Sequence, residues 1–212
     1  MKISHTKGRG KKIHIFVDDE YTITTDIDFW AEHFFKDGQE ITEEQWQELC
    51  NGIYYKKAVD KCYDLLSRRD HSVKELKTKL LRTVDEENAD RAIEIMIDYG
   101  YLDDEKYAKN LVKYLSETKR MSKNHIKQEM YKRGVPNDII AYTLEDTEID
   151  NVSAVVDLIF TKYRNKLDAQ DGNKKVIAAL MRKGFSYSDI REAFERIENE
   201  EYIKWQIVIK SV

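Results

Sequence analysis

A mainly α-helical fold is predicted, made of tandem three-helix repeats in an elongated curved array and preceded by a small N-terminal β-hairpin and short helices. Three features point to it. One proline and eight glycines are spread through 212 residues rich in Lys, Glu, Leu, Ile and Ala, a composition of helices with short connections. Apolar residues fall three and four apart from Ile53 onward. A unit of about 50 residues recurs along the same stretch.

Residues 1–12 are polar and basic, with Gly8 and Gly10, and are expected to be a mobile tail. Ile13–Val17 and Tyr21–Thr25 read as two strands joined by the polar turn Asp18-Asp19-Glu20. An isolated hairpin is marginal in water, so it should pack against Ile27, Phe29, Trp30, Phe34 and Phe35. Thr42-Glu-Glu-Gln45 has the form of a capping box opening a helix that turns Trp46 and Leu49 inward and stops near Gly52. Five segments follow from these breaks: a hairpin and helical region at 1–52, repeats at 53–102, 103–147 and 148–199, and an extension of unassigned role at 200–212. Within that extension, Trp205 and Ile207-Val208-Ile209 look more like a strand than a helix.

The repeat appears when residues 50 apart are set side by side. Leu76, Ile126 and Val176 align, then Leu80, Met130 and Leu180, with Ser72, Ser122 and Gly172 four residues before the first column. Ser72 and Ser122 suit N-caps, Gly134 and Gly184 suit the left-handed residue after a helix, and Pro136 suits a helix start. Val84 stands where the other units have glycine, so that turn must be made differently. The first helices are expected at 58–67, 105–116 and 153–163, and the third at 87–99, 137–144 and 188–197. Leu76, Leu80 and Leu81 define a narrow buried stripe.

The joint Tyr99–Ala108 ends one helix and opens the next almost without linker. Gly100 supplies the left-handed residue, and Asp103 or Asp104 supplies the cap. Together with Arg68-Arg69-Asp70-His71-Ser72-Val73-Lys74-Glu75-Leu76, the run Gly100-Tyr101-Leu102-Asp103-Asp104-Glu105-Lys106-Tyr107-Ala108 resembles the paired signature of the bacterial RecX regulatory proteins. That resemblance implies three tandem three-helix repeats and a non-enzymatic regulator that binds the RecA recombinase filament on single-stranded DNA. It further implies restraint of RecA ATP hydrolysis, strand exchange and co-protease activity, and so a place in homologous recombination, DNA repair and the SOS response.

The residues themselves carry no catalytic constellation. His5, His14, His33, His71 and His125 are scattered, with no pair at zinc-binding spacing, and His71 reads as a structural residue beside a cap. No phosphate-cradling glycine loop occurs, so neither an enzyme nor a cofactor is expected. Cys50 and Cys62 imply no disulfide framework and read as buried free thiols, which with the lack of a signal or membrane segment predicts a cytoplasmic protein, read as a monomer. The net charge of −4 argues against a dedicated duplex-DNA binder.

Charge is locally uneven. Residues 1–52 hold 11 Asp/Glu against 6 Lys/Arg, whereas 106–133 hold nine Lys/Arg against Glu117 and Glu129. The candidates for binding a partner or DNA are Lys113, Lys119, Arg120, Lys123, Lys127, Lys132 and Arg133 in that cluster, the column Arg82, Lys132, Arg182 with Lys183 beside it, and the column Lys74, Lys174. The helix dipole alone accounts for cations at 82, 132 and 182, in the last turns of their helices. Of the tyrosines that would stack on bases where exposed, Tyr63, Tyr101, Tyr107 and Tyr114, the second and third are expected in the core. Two other classes remain open: a stand-alone nucleic-acid-binding protein with helix-turn-helix-like triplets, and a helical scaffold with no DNA link.

Overall fold

The computed structural model describes residues 1–33 and 35–210, and side-chain environments as far as residue 199. Two compact units divide the chain, one of residues 1–69 and 76–101, the other of 70–75 and 102 onward.

In the first unit, strands β1 (Lys2–Lys7), β2 (Lys12–Val17), β3 (Glu20–Asp26) and β4 (Gln39–Glu40) form an antiparallel sheet of order β3-β2-β1-β4. The expected hairpin is β2-β3. The expected tail is a strand: Ile3 pairs with Val17 and Lys7 with Ile13, and Ile3 is fully buried. β1 has too few apolar residues to announce itself, and it is held by the ladder that β2 offers. Ile3, Ile13, Ile15 and Ile23 pack on Phe29 and Trp30 of helix α1 (Ile27–His33), with Phe35 alongside. Ile27 is exposed, against expectation, because it opens the helix on its outer side, and Phe34 lies outside the described residues.

Helix α2 (Glu43–Leu66) opens with the expected capping box, Gln45 N–H to Thr42 Oγ1 at 3.2 Å and Thr42 N–H to Gln45 Oε1 at 3.0 Å. It runs straight through Gly52. A mid-helix glycine costs about 1 kcal/mol, less than ending a helix that buries Leu49, Ile53, Ala58 and Cys62. The glycine also admits a ring, since a Cβ there would lie 2.9 Å from Phe29 Cζ. Cys62 is a buried free thiol whose burial pushes it up to about 11, whereas Cys50 is only half-buried.

Helix α3 (Val73–Leu80) has its first turn in the second unit and the rest in the first. It ends without a left-handed residue: the Thr83 and Val84 amides both donate to the Leu80 carbonyl, and Val84 is buried. Helix α4 (Glu86–Asp98), capped by Asp85, packs Ala92, Ile93 and Met96 inward. It closes in a Schellman motif, Gly100 N–H to the Ile97 carbonyl and Tyr101 N–H to that of Met96, with Gly100 at φ +70°.

The second unit holds α5 (Asp104–Lys113), α6 (Lys123–Lys132) and α7 (Asn137–Asp146) around Leu111, Ile126, Met130 and Ile140. It continues with α8 (Asn151–Leu158), α9 (Arg164–Leu167), α10 (Gly172–Arg182) and α11 (Tyr187–Lys210), where Val155, Ile159, Val176, Leu180 and Ile190 form the core. Both first helices end in a π-turn, Tyr114–Thr118 and Ile159–Tyr163. Asp103 is the cap of α5, accepting from Lys106 N–H at 2.9 Å. In the third unit of the repeat the cap position shifts to Asp171, and Gly172 is required because a Cβ there would strike the Lys166 carbonyl. Helix α11 corrects the strand expected within 202–212. With no proline or glycine after Tyr187, a nucleated helix propagates through the β-branched run to Lys210 at small cost per residue. Residues 211 and 212, and the Trp205 side chain, lie outside the description.

Gly134 and Gly184 close α6 and α10 with the same Schellman pair as Gly100. At Gly134 a second constraint is added, since a Cβ would lie 2.7 Å from Lys74 Cβ, whereas Gly100 faces open space. Gly100→Ala should therefore cost about 1–2 kcal/mol from the left-handed backbone alone, and Gly134→Ala clearly more, as read by urea unfolding. Equal costs would show that Lys74 moves aside freely.

Candidate interaction surface

Two short networks in the second unit set where its side chains point. Ser72 and Ser122, both fully buried, cap α3 and α6 by accepting the N–H groups of Glu75 (3.1 Å) and His125 (3.2 Å). Each hydroxyl donates 61 residues onward to a helix-ending carbonyl, Ser72 to Arg133 and Ser122 to Lys183 (2.9 Å). Next to each serine, the Val73 amide donates to Asp104 Oδ1 (2.9 Å) and the Lys123 amide to Asn151 Oδ1 (3.1 Å). Burial pushes the Asp104 carboxyl above the usual range; the Val73 amide opposes that shift and the charge of Asp103 adds to it. Neither role was readable from the sequence, because the partner of Asp104 is in another helix.

This framework sorts the candidate cations. Arg133 is half-buried, 3.9 Å from Glu129 and 3.5 Å from the Tyr107 hydroxyl. Lys132 is tied to Glu129 at 2.8 Å, and this hydrogen bond holds the Glu129 carboxyl below the usual range against partial burial. Arg120, at φ +51°, reaches Asp157 at 2.8 Å. The stem of Lys74 lies against Gly134, and Lys174 is exposed, 3.4 Å from Asp171. Arg182 is exposed, Lys183 half-buried, and Arg82 is exposed in the first unit.

Lys113, Lys119, Lys123 and Lys127 are exposed and make no ion pair among the described residues. Three lysines lie over exposed tyrosine rings: Lys109 over Tyr142 (5.9 Å), Lys119 over Tyr114 (5.3 Å) and Lys127 over Tyr131 (6.0 Å). Lys113 and Arg120 line a cleft of about 450 Å³ that also holds Lys109, Glu117 and Glu148. Tyr142 and Lys109 are not singled out by the sequence, since they stand 33 residues apart on α5 and α7 and only the fold brings them together.

Tyr107 is buried as expected, but Tyr101 is 58% exposed, its ring edge-on to Tyr63 (5.7 Å) and Tyr99 (6.4 Å), while Leu102 takes the core position. Leu81 likewise leaves the expected stripe, lying a full helical step of 100° beyond Leu80. Leu81, Tyr131 and Met181 share one register position and are 46%, 46% and 51% exposed. Among the described residues no cluster of three His, Cys, Asp or Glu is placed to hold a metal ion, and no helix is long and apolar enough to cross a membrane.

Comparison with known proteins matches residues 58–94 to the first three-helix domain of RecX, 103–144 to the second and 146–194 to the third. The regulatory protein RecX of Clostridioides difficile is 29% identical over 206 residues, covering 95% of this chain and 97% of its own. That of Caldanaerobacter subterraneus is 30% identical over 191 residues, covering 87% and 93%. Two crystal structures share the fold: a RecX with TM-score 0.63 and 20% identity over 92% of this chain and 97% of its own, and RecX from Lactobacillus salivarius with TM-score 0.60 and 23% identity over 68% and 97%.

A raised carboxyl contributes stability that is present below the ordinary carboxyl range and lost as pH rises through the raised value. Asp104→Asn keeps the oxygen that Val73 uses, as Asn151 already does for Lys123. Thermal melts should show this variant more stable than the parent at pH 7, with the gap closing as pH falls through the carboxyl range. Lower stability at pH 7 would mean that the helix dipole outweighs burial at this position.

Proposed function

The chain belongs to the RecX family of regulatory proteins, and from that premise we propose that it binds the RecA filament on single-stranded DNA and restrains ATP hydrolysis, strand exchange and co-protease activity. The lysine-tyrosine surface of the second unit carries this reading. Lys123 and Lys127 lie one turn apart on α6, on the exposed flank of the buried stripe of Ile126 and Met130, with Tyr131 completing the row. Unpaired ammonium groups beside exposed rings suit both phosphates and the acidic surface of a nucleoprotein filament. The acidic first region, the −4 net charge and the ion-paired state of Lys132 and Arg120 favour a contact with a composite protein-DNA surface over tight binding to bare duplex. The remaining candidates of the second unit, Lys113, Lys119 and the paired cations, belong to the same surface in this proposal, and Arg82, in the first unit, is a separate candidate. The three repeats at 53–102, 103–147 and 148–199 are proposed as its structural modules.

The test is single-stranded-DNA-dependent ATP hydrolysis by the cognate RecA, with this protein titrated below one molecule per RecA protomer. Inhibition at substoichiometric ratios is expected, and reversing Lys123 and Lys127 to Glu should raise the concentration needed about tenfold, in line with charge pairs at a contact rim. A folded protein that gives no inhibition at excess would sink the proposal. Salt-steep binding to duplex without RecA would instead identify a stand-alone nucleic-acid binder, and inhibition indifferent to both reversals would remove the lysine surface from the contact.

A further inference from the structure

The solvent face of the N-terminal sheet carries a set of rings that the proposed function does not use. Because Ile13 and Ile15 turn to the core, strand alternation puts His14 and Phe16 on the other face, whereas Tyr21, which shares the parity of the buried Ile23, reaches that face only through a break in the alternation of β3. A register irregularity between Ile15 and Phe16 sets Phe16 opposite Tyr21. The Tyr21 ring is 59% exposed and lies 6.0 Å from each of the other two rings, edge-on to both at 68° and 76°. Thr24 Oγ1 fixes two of them, 2.7 Å from His14 Nδ1 and 3.1 Å from the Tyr21 hydroxyl. The result is an ordered aromatic platform open to solvent.

One end of this platform is basic. The turn from β1 to β2 reads Lys7-Gly8-Arg9-Gly10-Lys11-Lys12, and its backbone rests on the His14 ring, since a Cβ at Gly8 would lie 2.5 Å from Nε2. Lys11 reaches Asp28 at 3.1 Å, whereas Lys7, Arg9 and Lys12 are exposed and make no ion pair among the described residues. The other end of the same strands is the acidic turn Asp18-Asp19-Glu20.

We infer that this face binds single-stranded nucleic acid without sequence preference, a base stacking on Tyr21 between the edges of His14 and Phe16 and the adjoining phosphates lying on the Lys7–Lys12 turn. Stacking needs an exposed π-face next to a cation, and both are present here in one small area. An acidic peptide would use the cations but has no need of the rings. A duplex keeps its bases stacked on one another and cannot offer a face to Tyr21. The acidic turn repels phosphate beyond the platform, so the site spans few nucleotides. This site lies in the first unit and requires no RecA, so its test is independent of that of the filament contact.

Fluorescence anisotropy of a labelled oligothymidylate of about 12 nucleotides, a length within single-fold site sizes, tests it with the full chain. Tyr21→Ala should weaken binding about tenfold, the loss expected for one stacked base, while Tyr21→Phe keeps it. Arg9→Glu, in the exposed turn, should weaken binding and lower the salt slope by about one phosphate contact. It also decides the matter should Tyr21→Ala melt early. Three outcomes would overturn the inference: no binding by the parent chain, equal weakening of single strand and duplex by Tyr21→Ala, or binding that both variants leave intact while K123E/K127E abolishes it.

Discussion

The second unit depends on one hydroxyl used twice. A buried serine oxygen that accepts from its own helix still has a proton to place, and leaving a buried polar group unmatched costs about 1–3 kcal/mol. A Schellman motif leaves one carbonyl in the matching position. Its two hydrogen bonds satisfy the carbonyls of Met130 and Tyr131, and the carbonyl of Arg133 remains for Ser72, as that of Lys183 remains for Ser122. Glycine at 134 and 184 thus serves two purposes, since a side chain would both strain the backbone and collide with Lys74 or with the Ser122 hydroxyl.

Much of this was legible because the rules involved are local. Serine before a helix, glycine after one and a 50-residue period fixed the caps, the C-terminal turns and the buried columns without knowledge of the fold. What stayed hidden depends on neighbours distant in sequence. β1 exists through its ladder with β2, Gly52 is tolerated for the sake of the Phe29 ring, and Asp104 serves the amide of Val73. Tyr101 and Leu81 were misread because adjacent residues at a helix end face different ways, so that Leu102 and Leu80 fill the core in their place.

The candidate surface was legible as a charge excess and not as a pattern. Counting charges over 106–133 could not say that Glu129 holds Lys132, or that Asp157, far outside the window, holds Arg120. Pairing of that kind leaves a smaller set of free ammonium groups, and those found over tyrosine rings share no single helix. The helix dipole explains a cation at the end of each middle helix, yet it gives no reason for a large apolar residue exposed beside it at 81, 131 and 181.

The spacing of the clasps separates the parts of the chain that are fixed in length from those free to vary. From serine to the end of the middle-helix turn the count is the same, Ser72 to Val84 and Ser122 to Gly134, and the donor-to-carbonyl interval is 61 residues both times. The interval from Val73 to Asp104 is 31 residues, whereas that from Lys123 to Asn151 is 28. The difference equals that between α4, with 13 residues, and α7, with 10. The segment that follows makes up the difference, with 29 residues from Asp104 to Arg133 against 32 from Asn151 to Lys183. Insertions and deletions in chains of this architecture should therefore gather in the third helix of one repeat and the first helix of the next, close to one turn at a time, while the stretch from the capping position to the turn after the middle helix keeps its length as sequences diverge.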